Sequence, residues 1–466
     1  MRVWLENEKW SEVASEESPH KKADIFQNML LEKYLDFFPV VTRIISSDSQ
    51  PFFNDKLARL KRIKSREYAK QRKSKKWAVL NNQYVEMLKG AKKAFYNKKI
   101  KHLKKANPRK WYSELKKITS FDQHKAEDIV VESLKDIPIP EQVELIADKF
   151  EEVSNEFDKL KAEDVIVPEF DVKDIPVFSV QEIQSVMSQL KTNKSTVDGD
   201  VPAVIFKTFS KFLALPVKDV VNSSIRKGIW PNTCKIEMVT PVPKENPPKS
   251  IDQLRNISGL KTLNKIFEKL ITKLMVSDLS QKLDPSQYAN QRGVSIQHYL
   301  VKLLDKILTS LDSKGNPKAV LATLVDWKQA FPRQCPKLGI LSFIENGVRP
   351  ALIPILINFF QDRKMIVKWK GLRSKIRDLC GGGPQGSSIG IWEYLSLSND
   401  NADFVSAEER FKFVDDLTIV EVIELLSIGL ASYNVKKQVP SDIPTHNQVI
   451  EANNLKSQTY LKDLSD

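Results

Sequence analysis

The stretch RFKFVDDLTIVEV, residues 410–422, constrains this chain more than any other. Phe411, Phe413, Leu417, Ile419 and Val422 alternate as in a pair of half-buried strands. Yet Asp415 and Asp416 stand side by side at its centre. A carboxylate buried beside another is costly, because like charges within a few Å raise each other's pKa. A second segment, KAVLATLVDWKQAFP at 318–332, reads as a buried strand with a lone carboxylate, Asp326, at its end. A divalent metal offsets such charges. Magnesium takes oxygen ligands, uses one or two carboxylates, and shares its shell with substrate phosphates. A pair of such ions serves phosphoryl transfer by activating the attacking hydroxyl and stabilising the leaving oxygen. The bland alternative is turn chemistry, since Asp caps the backbone of turns. Taken alone, a VDD in a hairpin favours that alternative.

Charge separates a second region. Between Lys56 and Lys117 there are 23 Lys/Arg against 3 Glu, a net of +20. The rest carries 50 basic against 56 acidic residues, a net of −6, within an overall +14. Such a localised excess points to a polyanion partner. Leu57, Leu60, Ile63, Tyr84, Leu88 and Phe95 recur at helical spacing, with Gly90 the strong breaker. The window therefore reads as one or two long helices with a broad cationic face. Trp77, Tyr84, Tyr96 and Trp111 are candidates to stack on bases. The alternative is a solvated helical linker.

Three widely spaced cysteines argue against a disulfide scaffold, and five scattered histidines without CxxC against a zinc site of usual spacing. No apolar run is long enough to span a membrane, and the start lacks a signal-peptide pattern. The expected location is the nucleus or cytoplasm. Residues 1–50 read as an acidic helix or two. The stretch 126–178 reads as an acidic connector holding a helix. Ser179 and Glu182 form a capping-box pair opening a helix. IEMVTPVPKENPPKSIDQLR reads as a strand entering a basic loop, followed by a helix over 262–282. KMIVKWKGLRSKIRDLC alternates as a hairpin, and GGGPQGSS opens a helix.

LVDWKQAFP, GGGPQGSS and FKFVDD, in that order, resemble the palm motifs of reverse transcriptases. Upstream, TPVPK, QLRNISGL and NKIFEKLI resemble their fingers motifs. The similarity is greatest to the non-LTR, LINE-type retrotransposon class and covers roughly 180–425. It implies an α+β fold, a polymerase right-hand palm and fingers preceded by a basic helical region, with the thumb largely absent. The implied organisation is 1–125 basic helical region, 126–178 connector, 179–425 fingers and palm, and 426–466 an incomplete end of the palm. The chain then reads as an internal piece of a longer element.

The resemblance also implies roles. Asp326, Asp415 and Asp416 would hold two magnesium ions, with manganese as the alternative metal. Phe331 would wall off a 2′-OH and so select dNTPs; otherwise it is a core aromatic. Gln385 and Gly386 would line the dNTP pocket, where glycine lets backbone approach closely. Lys244 and Arg255 would grip the triphosphate, Arg as a planar fork and Lys as a point charge. The partners implied are an RNA template, a DNA primer and dNTPs. The chain departs from many relatives at Pro332, where they carry a further Asp, and at ISGL, where they carry Pro-Ile-Ser-Leu. The rival functions are a catalytically inactive nucleic-acid-binding relic and an RNA-dependent RNA polymerase. Phe331 argues against the latter.

Overall fold

The computed structural model describes residues 1–41, 50, 52–106, 111, 129–315 and 318–424. The expected palm end at 426–466 lies outside them. The chain divides into two compact units, one of Met1–Phe37 with Val130–Asp466, the other Phe38–Ile129.

This division departs from the expected boundary at residue 125. Helices α1 (Arg2–Asn7), α2 (Ser11–Ser15) and α3 (Pro19–Phe37) belong to the unit that carries the aspartates. The reason is apolar spacing. Ala23, Phe26 and Leu30 recur on one face of α3 and are fully buried. Phe26 meets Phe206 edge-on at 6.3 Å. The charge pattern of residues 1–50 hides this stripe.

The second unit is a helical hairpin of α4 (Asp55–Lys70) and α5 (Lys75–Ala106). The Asn54 side chain caps α4 by accepting from Leu57 N–H. The break falls at Gln71–Ser74, whereas Gly90 lies inside α5. A helical glycine costs about 1 kcal/mol relative to Ala and is outweighed by the surrounding helix formers. Tyr68 and Trp77 pack ring on ring at 5.5 Å, and Lys64 Nζ lies 4.2 Å over the Tyr84 ring. Trp77 and Tyr84 thus already have partners within the hairpin.

The acidic stretch also differs from expectation. Helix α6 (Ile139–Ser154) is packed against the first unit's sheet rather than held in a loose connector. Its Gln142, Val143, Ile146 and Ala147 are buried. Trp369 Nε1 donates to Gln142 Oε1 at 3.0 Å. Arg377 binds Glu144, Asp148 and Glu151 of the exposed face. The acidic residues pair with one arginine, and the apolar stripe does the packing.

The rest follows the sequence closely. Helix α7 (Val180–Ser188) starts at Ser179, with the full reciprocal box to Glu182. Helices α8 (Ala203–Thr208) and α9 (Ser210–Lys227) lead to β1 (Ile236–Pro243) and β2 (Leu254–Gly259), an antiparallel pair. Then come α10 (Thr262–Leu279), α11 (Ile296–Leu311), β3 (Lys318–Asp326), α12 (Pro336–Glu345) and α13 (Ile353–Phe360). Strands β4 (Arg363–Trp369), β5 (Leu372–Arg373) and β6 (Arg377–Leu379) precede α14 (Ser388–Leu397), β7 (Arg410–Phe413) and β8 (Asp416–Glu424).

Two sheets result, so the fold is mixed α and β as expected. The first has the order β2-β1-β4-β5, with β6 also on β4, and β1 runs parallel to β4. The second is β3-β8-β7, antiparallel throughout. The main core gathers helices α1, α2, α3, α7, α8, α9, α10, α12, α13 and α14, with Trp230 fully buried among them. The Trp230 ring meets Phe359 edge-on at 4.8 Å, and its Nε1 donates to Asn264 Oδ1 at 2.9 Å. The second sheet has a much smaller core, with Tyr299, Phe411 and Val420 buried. Its β3 is not the buried strand its composition suggests. Leu324 is 78% exposed and Leu321 48%.

Candidate active site

The site is built at one end of the second sheet. In the β7–β8 ladder Phe413 pairs with Asp416, which leaves Val414 and Asp415 as a two-residue turn. Val414 has φ +60°, in the left-handed region. A β-branched residue there is strained and is held only by its surroundings. In the neighbouring ladder Asp326 pairs with Asp416. Register alone therefore brings all three aspartates to the same edge.

Their electrostatics agree. Burial raises the Asp416 pKa, and the charges of Asp415 and Asp326 raise it further. Burial also pushes the Tyr394 hydroxyl well above its usual value, and all three carboxylates add to the shift. Tyr394, on α14, thus faces the acidic edge. Among the described residues none of the three aspartates pairs with a Lys or Arg. The donor set, hard carboxylate oxygens without a compensating cation, suits magnesium. Among the described residues, though, no three acidic, His or Cys side chains converge into a closed metal-binding group. An ion that completes its shell with substrate oxygens tolerates such openness.

Phe331 follows five residues after Asp326, in the turn between β3 and α12. Its ring stacks on Tyr394 with centroids 5.4 Å apart. Its carbonyl accepts from Gly383 N–H at 2.9 Å, and the Gln334 carbonyl accepts from Gly382 N–H at 2.8 Å. Two backbone bonds thus fasten the glycine loop to the turn carrying Phe331. Gly382 has φ +84°, and a Cβ there would stand 2.7 Å from the Pro332 carbonyl oxygen. Only glycine fits that approach.

Gln385 continues the loop toward the first sheet. Its carbonyl accepts from Ser258 N–H at 2.9 Å, an extension of the β2 edge. Gly386 has φ +129°, and a Cβ would come within 2.8 Å of Ser258 O. The loop then enters α14, whose N-terminus is tied down by Glu268. That carboxylate accepts from Ser387 Oγ, Ser388 N–H and Asn264 Nδ2 at 2.7–2.9 Å. Burial raises its pKa, and these bonds oppose the rise.

Lys244 and Arg255 are both exposed at the β1–β2 hairpin. Arg255 pairs with Val242, and Lys244 N–H donates to Gln253 O at 2.8 Å. The structure thus groups the expected residues in three linked sets: the aspartates with Phe331, Gln385 and Gly386 against β2, and Lys244 with Arg255 on the same hairpin.

Some residues are invisible to motif reading. Tyr394 has only the signal of a tyrosine next to Glu393 in a mostly apolar helix. Lys412 lies between two phenylalanines, and its side chain is 4% exposed. It binds Asp284 Oδ2 at 2.6 Å, and Arg410 Nε binds the same oxygen at 2.9 Å. Burial would raise the Asp284 carboxyl, yet bonds from Arg410, Lys412 and Ser286 hold it well below the usual range. This buried cluster fastens β7, the strand that leads to the aspartates.

No protein-family model matches the chain. Curated proteins do. It is 24% identical over 230 residues to the RNA-directed DNA polymerase from mobile element jockey of Drosophila melanogaster, covering 48% of this chain and 24% of that protein. The chain is similar to RNA-directed DNA polymerases of mobile elements. The Drosophila funebris jockey polymerase matches at 24% over 253 residues, 52% of this chain and 27% of that protein. The probable RNA-directed DNA polymerase from transposon X-element of Drosophila melanogaster matches at 25% over 232 residues, 49% and 25% respectively. The alignments span about a quarter of the length of these relatives.

Proposed function

We propose that the chain carries the polymerase portion of a non-LTR retrotransposon reverse transcriptase, with the second sheet as palm and the first as fingers. The reaction is template-directed nucleotidyl transfer. A primer 3′-OH attacks the α-phosphate of a dNTP, the bond to the β-phosphate breaks, and pyrophosphate leaves. The observation that carries this reading is the register setting Asp326 opposite Asp416, with Asp415 at the adjoining turn.

Asp326, Asp415 and Asp416 would hold magnesium, which would supply charge stabilisation for the phosphoryl oxygens. Lys244 and Arg255 would bind the triphosphate by charge-assisted hydrogen bonds. Phe331, backed by Tyr394, would stand against the sugar 2′ position. Gln385 and Gly386 would line the nucleotide pocket. The α4–α5 hairpin would contact the phosphates of an RNA template or its hybrid with the DNA primer, without reading base edges. The nucleus or cytoplasm is the proposed setting.

Primer extension tests this. The 466-residue chain, an RNA template, a DNA primer, dNTPs and magnesium should give extension that Asp415→Asn lowers by at least ~10²–10³-fold, the scale of losing one group that stabilises transition-state charge. Equal extension by wild type and variant would overturn the assignment of the aspartates. No extension under any salt or magnesium condition would overturn the polymerase reading for this chain.

A further inference from the structure

The segment from Asp284 to Gln291, between α10 and α11, runs beside β7. Lys412 N–H donates to Ser286 O, and Tyr288 N–H to Lys412 O, both at 2.9 Å. Gln287, at the middle of this contact, is 4% exposed. Its Oε1 accepts from its own neighbour Ala289 N–H at 3.0 Å and from Val414 N–H at 3.1 Å. Val414 is the residue at φ +60° in the aspartate turn. One buried amide oxygen therefore reaches the strained residue directly before Asp415.

We infer that Gln287 is a positioning residue for the aspartate turn: by accepting from the Val414 N–H, it holds the left-handed conformation that sets Asp415 and Asp416 beside Asp326. The kinetic consequence rests on the polymerase reading; the structural one does not. Two features favour an amide in this role. The second bond, to Ala289, fixes the acceptor in place independently of the turn. The amide is also uncharged. A carboxylate would accept the same bonds but would add a fourth negative charge near three aspartates. The segment itself is anchored by Asp284 through Arg410 and Lys412. Anchor and acceptor together join the turn to the segment that follows α10.

The test is residue-resolved hydrogen exchange on the full chain. In Gln287→Met, which keeps length but loses the acceptor, Val414 N–H should exchange about five- to tenfold faster, the scale of one buried hydrogen bond. Amides of β3 and of β8 beyond Thr418 should not change. In Gln287→Glu, Val414 should stay protected. Unchanged Val414 exchange in Gln287→Met would overturn the inference. So would uniform acceleration across the whole second sheet, which would mean general destabilisation.

Extension kinetics supply the second arm. Gln287→Met should lower kcat about tenfold or more with the dNTP KM changed less than about twofold. In a Val414→Gly background, where a left-handed residue carries no steric cost, the same substitution should have a markedly smaller effect. Equal losses in both backgrounds would overturn the role in holding the turn. A chain without extension in the wild type leaves the exchange arm to decide, so failure of the polymerase reading stays distinct from failure of this one.

Discussion

The two sheets are held in different ways. The first is packed under the main core, where Trp230, Phe267, Phe343 and Phe359 are fully buried. The second buries little, and Leu324 on β3 is 78% exposed. What fixes its aspartate edge is polar: the Asp284 cluster, Gln287, and backbone bonds from the glycine loop. Apolar packing gives stability without direction, whereas hydrogen bonds and ion pairs set angle and register. Three like charges at a turn need direction more than burial. The aspartates therefore sit where polar contacts, not core packing, dominate, and this edge should respond to pH and to single polar substitutions in ways the first region does not.

The largest expected effect sharpens the contrast from the packed side. Trp230→Ala should cost ~3–5 kcal/mol, as for other large core truncations. Denaturant unfolding should show the loss at every pH where the protein folds.

Asp284→Asn should break the other side. Removing one partner from a buried charge cluster costs ~3–5 kcal/mol, and the retained amide should bring this to about 3 kcal/mol. The folded carboxyl lies below the ordinary Asp value near ~3.9. Its contribution is then complete above that value and drains away as pH falls beneath it. Wild type should lose stability toward acid on this account, and the variant should show a flatter acid limb. Parallel pH profiles for the two proteins would show that the cluster is not a directional clamp.

A smaller effect is expected at Phe331, the proposed sugar wall. Phe331→Ala should relax dNTP over rNTP selection by about tenfold or more, within the ~1–3 kcal/mol that a pocket contact supplies to discrimination. The readout is the ratio of kcat/KM for the two nucleotides. Unchanged selection would leave Phe331 as packing for Tyr394.

The smallest effect has the opposite sign. Glu393 is fully buried in α14, and neither carboxyl oxygen has a hydrogen-bond partner among the described residues. Burial raises its pKa well above the ordinary value. The folded state thus keeps a proton that the unfolded state releases, and stability falls as pH rises above ~4.3, the ordinary Glu value. Glu393→Leu should therefore stabilise by ~1–2 kcal/mol at pH 7, in line with other replacements of buried ionisable groups. The gain should shrink toward pH ~4, where folded and unfolded states both hold the proton. A gain independent of pH would mean that packing alone is responsible.

Much of this is legible in the sequence, and the limits follow physical lines. The Ser179–Glu182 box, the β7–β8 turn and the start of α14 at the glycine loop are local events, and local residues encode them. The meeting of Asp326 with Asp416 is long-range, and ordered motifs point to it where spacing does not. Composition misleads where charge masks a stripe. Val143, Ile146 and Ala147 seat α6 despite its acidic face, as Phe26 and Leu30 seat α3. An apolar run such as 319–325 reveals strand but not what covers it. Asp284 stands 126 positions from Arg410, and neither residue advertises the other.

The parallel pairing of β1 with β4 has a consequence in time. β1 ends at Pro243, and its partner begins at Arg363. Ribosomes add ~5–20 residues per second, so a finished β1 waits on the order of ten seconds for its neighbour. During that interval Glu237 lacks the arginine it later meets inside the sheet, where both side chains are 3% exposed. Closing a loop of that length also carries an entropic penalty before any contact forms. The first sheet is thus a late event in the birth of the chain, and the nascent β1–β2 hairpin spends those seconds with an open edge available to chaperones or to a neighbouring nascent chain.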